Sequence, residues 1–123
     1  MHLNTKVLMI ASAVLMGVVG ILLSFLPQEI GALFGGVDAI ILQLMGAVYF
    51  GWSMANWTAK ASLMGGIYGR AIGIGNFAHF MIGAFALLKR ANMDEPLMLG
   101  LAIVYILFAI FFGVVFFTHP KTQ

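Results

Sequence analysis

The chain has 123 residues, of which 63% are hydrophobic and only 8% are charged. Soluble domains carry roughly 25% charged residues, so this chain has too little polar surface for a fold in water, and lipid is its expected solvent. The absence of cysteine excludes disulfides, thiolate metal sites and thiol redox chemistry, and a net charge of +2 is too small and too scattered to indicate nucleic-acid binding.

The first predicted membrane span is the uncharged run from Val7 to Leu26, which Pro27 ends. Its twenty residues rise 1.5 Å each, enough to cross a hydrocarbon core of about 30 Å. A cleaved signal peptide is the alternative, because Lys6 precedes the run. Such peptides have apolar cores of about 7 to 15 residues, so we expect the helix to be retained.

The connection after this span predicts a short helix at the membrane surface. Pro27 suits a first helical turn, Glu29 lies near the positive end of the helix dipole, and Gly35 and Gly36 stop the helix before Asp38. A re-entrant loop that lines a pore is the alternative, and it requires enclosure by protein.

Three further spans follow, over residues 39–58, 69–88 and 97–118. Gly65 and Gly66 permit a reversal between the second and third spans, and Pro96 begins the fourth, whose only strongly polar group is the Tyr105 hydroxyl. The expected fold is an all-α membrane protein, a four-transmembrane-helix bundle with up-down-up-down topology and a short interfacial helix between helices one and two. We expect one domain over residues 1–123.

Basic residues predict the orientation. Four spans place both termini and the second connection on one side, which holds Lys6, Lys60, Arg70 and Lys121. The other side holds two basic residues and all four acidic ones. The positive-inside rule therefore favours cytoplasmic termini. The architecture is similar to that of small four-helix bacterial membrane proteins, which implies a bacterial inner membrane.

Polar side chains collect on the second and third spans, where hydrocarbon makes each costly without a partner. These residues form the candidate ligand-binding set: Tyr49, Trp52, Ser53, Asn56, Asn76 and His79. The alternative interpretation is that they only join helices, since interhelical hydrogen bonds of this kind contribute roughly 0.6 to 2 kcal/mol each. Both interpretations stay open from the sequence.

Glycines on the third span predict close helix packing. Gly69, Gly73 and Gly83 share a face with Asn76, and Gly65 precedes them at the GxxxG interval. We expect spans two and three to form an antiparallel pair, with aromatic residues of the second span on this glycine face.

Two cations lie near the ends of these spans. Arg70 is one turn inside the third span, and Lys60 follows the second. Both side chains can extend to the membrane surface, and the competing interpretation is contact with an anionic headgroup, for which the arginine fork suits a carboxylate or phosphate.

His79 lies near the middle of the third span, and its expected state is a hydrogen-bonded core histidine. Bis-histidine haem fails within one chain because His2 and His119 are in the tails. We expect neither a cofactor nor a metal site. Small multidrug exporters use a glutamate in their first span, and none is present here. The spans also lack carboxylate pairs and serine-base dyads, so we expect no enzyme.

Three functions remain. The first is a non-enzymatic packing or interaction component that associates with itself or with another membrane protein. The second is a binder of a lipid or other apolar small molecule in a polar-lined site between helices two and three. The third is transport of a small solute by an oligomer. Expected partners are membrane lipids and a second copy or another membrane protein, with no nucleic acid.

Overall fold

The computed structural model describes residues 4–61, 67–90 and 95–118, except for the side chains of residues 67 and 68. The regular structure of these residues is entirely helical. The five α-helices are α1 (Thr5–Phe25), α2 (Pro27–Leu33), α3 (Ala39–Thr58), α4 (Ile67–Arg90) and α5 (Pro96–Thr118). All but α2 are long and apolar enough to cross a membrane, which confirms the predicted class of four spans with a short helix after the first.

The helix ends differ slightly from the predicted ones for identifiable reasons. Helix α1 begins at Thr5, ahead of Val7, because the Asn4 side-chain oxygen accepts a hydrogen bond of 3.2 Å from the Val7 amide. Helix α4 continues past Leu88 to Arg90, where two basic residues lie at the negative end of the helix dipole.

The short helix α2 follows the predicted pattern. Pro27 lies in its first turn with Glu29, and the chain leaves the helix through Gly35 and Gly36 at φ of +87° and +91°. Glycine adopts this left-handed conformation without the strain that a side chain causes. Asp38 then caps α3, since its carboxylate accepts a hydrogen bond of 3.1 Å from the Ile40 amide.

The chain divides into two compact units, which are described separately. The N-terminal unit comprises Met9–Lys60, and the C-terminal unit comprises Met1–Leu8 with Ala61–Gln123.

In the N-terminal unit, α1 and α3 run antiparallel and approach most closely at two glycines. A Cβ atom on Gly20 would lie 2.8 Å from the backbone nitrogen of Phe50 and 3.0 Å from the carbonyl oxygen of Gly46. A Cβ atom on Gly46 would lie 2.9 Å from the Gly20 carbonyl oxygen. Only glycine permits backbones this close, and small residues serve this purpose at membrane helix crossings.

In the C-terminal unit, α4 and α5 form an antiparallel pair. Aromatic rings of each helix pack against glycines of the other. The Tyr105 ring covers Gly83, and the Phe77 ring lies 3.0 Å from the Cβ position of Gly113. Phe80 is fully buried between them, stacked on Phe108 at a centroid distance of 4.9 Å. Aromatic rings, and the space that glycines leave for them, form much of this interior.

Candidate functional site

Three polar side chains form a buried hydrogen-bonded seam between α1 and α3. We call Ser12, Ser53 and Asn56 the polar seam. Asn56 Nδ2 donates to Ser12 Oγ at 3.0 Å, and Ser12 Oγ donates in turn to the Met9 carbonyl at 3.0 Å. Ser53 Oγ donates to the Ala13 carbonyl at 2.6 Å. The seam therefore links the second span to the first at two points.

The sequence builds this seam from helical spacing and one glycine. Ser53 and Asn56 are three residues apart, so both project from the buried face of α3. Gly17 makes room opposite them, since a Cβ atom there would lie 2.8 Å from the Ser53 hydroxyl oxygen. Asn56 is fully buried, so its amide depends on partners such as Ser12.

Sequence reasoning did not select Ser12, although it is fully buried and accepts the Asn56 hydrogen bond. The available signal was the row of small residues on the first span, in which Ala13, Gly17 and Gly20 follow Ser12. The remaining two members of the candidate set on α3, Tyr49 and Trp52, are half-exposed.

The C-terminal unit contains a second polar contact, which joins α4 to α5. His79 Nε2 lies 2.9 Å from the Tyr105 hydroxyl oxygen, and the two rings are 5.3 Å apart at their centroids. Tyr105 is buried and His79 is half-buried. Phe80 lies edge-on to both rings at 4.9 Å. Gly83 lies one turn beyond His79, and the Tyr105 ring packs against it. Gly83 therefore positions the tyrosine that bonds to His79.

Tyr105 was not among the predicted site residues, although its hydroxyl is the only strongly polar group of the fourth span. Asn76 is buried, and its Nδ2 donates to the Ile72 carbonyl of its own helix at 2.9 Å. The hydrogen bonds described for Ser53, Asn56, Asn76 and His79 each lie within one unit. The predicted pairing of the second and third spans stays a prediction.

The predicted packing glycines have the following surroundings. Gly83 contacts Tyr105, and the Cβ position of Gly73 lies 3.5 Å from the Phe116 ring. These aromatic residues come from α5, whereas the sequence pattern points to those of the second span. Gly69 is buried, and Gly65 lies outside the described residues.

Each of the two predicted headgroup cations rests on an aromatic ring. Arg70 Nη1 donates to the Phe116 carbonyl at 2.9 Å, and the guanidinium carbon lies 4.2 Å from the centre of the Phe116 ring. Lys60 Nζ donates to the Trp57 carbonyl at 3.2 Å and lies 4.2 Å from the centre of the Trp57 ring. Both contacts have cation–π geometry, which holds the cation near the end of its helix.

Within residues 4–61, 67–90 and 95–118, no group of three or more histidines, aspartates or glutamates is arranged to hold a metal ion. The chemistry that the described side chains offer is hydrogen bonding between helices and cationic contact at the helix ends.

Fold and side chains together define a small multi-pass membrane protein with four candidate transmembrane helices. Comparisons with known proteins add no relative: no family model matches the chain, no curated protein matches its sequence, and no solved structure matches it.

Proposed function

We propose that this protein is a non-enzymatic membrane component whose role is to pack against another membrane-spanning helix, in the simplest case that of a second copy of the chain. The observation that carries this proposal is an exposed glycine in the middle of α3, Gly51, with the exposed Ala47 one turn before it. Apart from its chain neighbours and the backbone of its own helix, no described atom lies within 4 Å of the Cβ position of Gly51.

A glycine that faces lipid lowers helix stability, and no contact within the described part of the chain compensates for this at Gly51. Glycine in a helix interior is about 1 kcal/mol less favourable than alanine. At Gly20 and Gly46 that cost permits a close backbone approach, but Gly51 faces outward. Ala47 and Ala55 lie one turn to either side, and Ala47 is also exposed. Small residues at intervals of four allow a neighbouring helix to approach closely, which is the main source of helix association in lipid.

The polar seam supports a packing role over ligand binding. The Asn56 amide donates to Ser12, and the Ser53 hydroxyl donates to the Ala13 carbonyl. Both side chains therefore form hydrogen bonds that join α3 to α1. A ligand in their place would have to compete with these internal hydrogen bonds. This favours the interpretation that the seam stabilises the fold on which the outer face of α3 is presented.

Single-cysteine crosslinking tests the proposal, because the natural chain has no cysteine. The Gly51→Cys variant places a thiol on the proposed contact face. Leu107→Cys is the matched control, since Leu107 is also exposed and near the middle of its own span. Under mild oxidation in membranes we expect a disulfide-linked dimer from Gly51→Cys and little from Leu107→Cys, because a disulfide needs Cα atoms within about 7 Å.

The comparison between the two positions decides the result. Equal dimer yields at both would show random collision, and would contradict a specific contact. A further variant, Gly51→Leu, fills the open position and should shift the protein from dimer to monomer when its mass is measured in detergent. An unchanged mass distribution in that variant would also contradict the proposal.

A further inference from the structure

We propose that Arg70 binds the headgroup of an anionic phospholipid at the membrane surface where α4 begins and α5 ends. This binding is separate from the packing role of α3, because it uses a different unit of the chain and a charged group instead of an apolar face.

The Arg70 side chain is held in position by α5. Its Nη1 donates to the Phe116 carbonyl at 2.9 Å, and its guanidinium carbon lies 4.2 Å from the centre of the Phe116 ring. Both residues are near the ends of their helices, Arg70 in the first turns of α4 and Phe116 in the last turn of α5. Arg70 is half-buried, and because it lies at the start of a membrane-spanning helix we expect its guanidinium to reach the depth of the lipid phosphates.

Arginine is suited to phosphate at such a place. A guanidinium carries five N–H donors in a planar fork that can bind two phosphate oxygens at once. Contact with an aromatic ring restricts the side chain before a ligand arrives, so less conformational entropy is lost on binding.

The charge distribution along the chain indicates an anionic lipid instead of a zwitterionic one. In the topology predicted from the four spans, the side that holds the start of α4 carries four basic residues and no acidic residue, whereas the other side carries all four acidic ones. The four basic residues are Lys6, Lys60, Arg70 and Lys121. A zwitterionic headgroup has no net charge to be attracted by this excess. An anionic headgroup gains about fivefold in affinity for each basic residue near it.

Lipid retention measured by native mass spectrometry tests the proposal. The protein is titrated in detergent with phosphatidylglycerol or phosphatidylcholine that has the same acyl chains. We expect the wild type to retain phosphatidylglycerol in preference to phosphatidylcholine. Arg70→Gln should lower the phosphatidylglycerol affinity about fivefold and leave phosphatidylcholine retention unchanged. Arg70→Lys keeps the charge but lacks the planar fork, so it should restore only part of the affinity.

Lys89→Gln is the matched control, because it removes one positive charge on the opposite side of the membrane. It should bind phosphatidylglycerol as the wild type does. An equal loss in Lys89→Gln would show that only net charge matters, and would overturn the proposal. Equal retention of the two lipids by the wild type, or an Arg70→Gln variant with undiminished phosphatidylglycerol affinity, would overturn it as well.

A purely structural role for Arg70 gives a different result. Arg70→Gln changes one half-buried side chain at the end of a helix and leaves the ring packing of α4 on α5 intact, so the variant should fold. If Arg70 only held α5 in place, Arg70→Gln would lower the unfolding temperature equally with either lipid. The proposal instead predicts that the extra stabilisation by phosphatidylglycerol disappears in Arg70→Gln while the unfolding temperature in phosphatidylcholine changes little.

Discussion

Asn56 shows how a single polar residue acts inside this protein. Its side chain is fully buried and donates to Ser12 Oγ, which passes a hydrogen bond on to the Met9 carbonyl. In hydrocarbon, a buried amide without a hydrogen-bond partner destabilises the fold by several kcal/mol. The hydrogen bond to Ser12 stabilises the protein mainly because it prevents this loss. Asn56 therefore favours one pairing of α1 with α3 over arrangements that leave it unpartnered.

Replacing Asn56 tests this coupling directly. We expect Asn56→Leu to lower the free energy of unfolding, because the hydrogen bond to Ser12 is lost. A double-mutant cycle with Ser12→Ala should give a coupling energy of about 0.6 to 2 kcal/mol, the range for polar pairs between membrane helices. Unfolding in mixed micelles measures the four free energies. Strictly additive effects of the two substitutions would contradict a direct bond.

At the same scale, the sequence predicts which residues need partners but not which partners they find. Asn56 and His79 are polar groups in long apolar runs, and that alone indicates hydrogen bonding. Their partners, Ser12 and Tyr105, lie 44 and 26 residues away along the chain. Which helices become neighbours is decided by packing along whole helices, and local spacing contains no information about it.

At the scale of helices, the crossing of α1 and α3 depends on glycine more than on any polar group. The Gly20 Cβ position is closest to backbone atoms of Phe50 and Gly46, which cannot rotate away as a side chain can. The two helices would have to separate to admit a methyl group there. Since hydrogen bonds of the seam span the same pair of helices, a separation at the crossing also weakens them.

A pair of glycine substitutions separates this effect from helix propensity. Gly20→Ala should destabilise the protein by about 1 to 3 kcal/mol, the usual cost of overpacking. Gly100→Ala is the control, because no described atom lies within 4 Å of its Cβ position, and it should leave stability unchanged or raise it by up to about 1 kcal/mol. Thermal unfolding in detergent compares the two. Similar unfolding temperatures for both variants would mean that the crossing is not tight.

Helices were the most predictable feature of the chain. An uncharged run of about twenty residues has few alternatives in lipid, and prolines and glycines mark the ends, as at Pro27 and Gly35. Helix ends were less predictable, because they depend on individual caps such as the Asn4 side chain before α1. The sequence predicts that glycines of the third span are packing positions, but it does not predict that residues of α5 contact Gly73 and Gly83.

At the scale of the whole molecule, we expect two parts of the surface to bind different partners: anionic lipid at the basic helix ends, and another helix at the face around Gly51. The predicted topology collects basic residues without acidic ones on one membrane side, and the open face around Gly51 lies on an uncharged helix. The hydrogen bond from Asn56 to Ser12 joins α1 to α3, and the contact between His79 and Tyr105 joins α4 to α5. We therefore assign association to the surface and stability to the polar interior.

The measurement that tests this division most directly is native mass spectrometry of the wild type and of Asn56→Leu, both released from lipid nanodiscs. It reports the oligomeric state and the retained small molecules together. We predict that both proteins appear as the same oligomer with phospholipids as the only bound molecules, while Asn56→Leu is less stable. A monomer with a defined adduct other than phospholipid, lost in Asn56→Leu, would contradict the account and make the polar seam a ligand site.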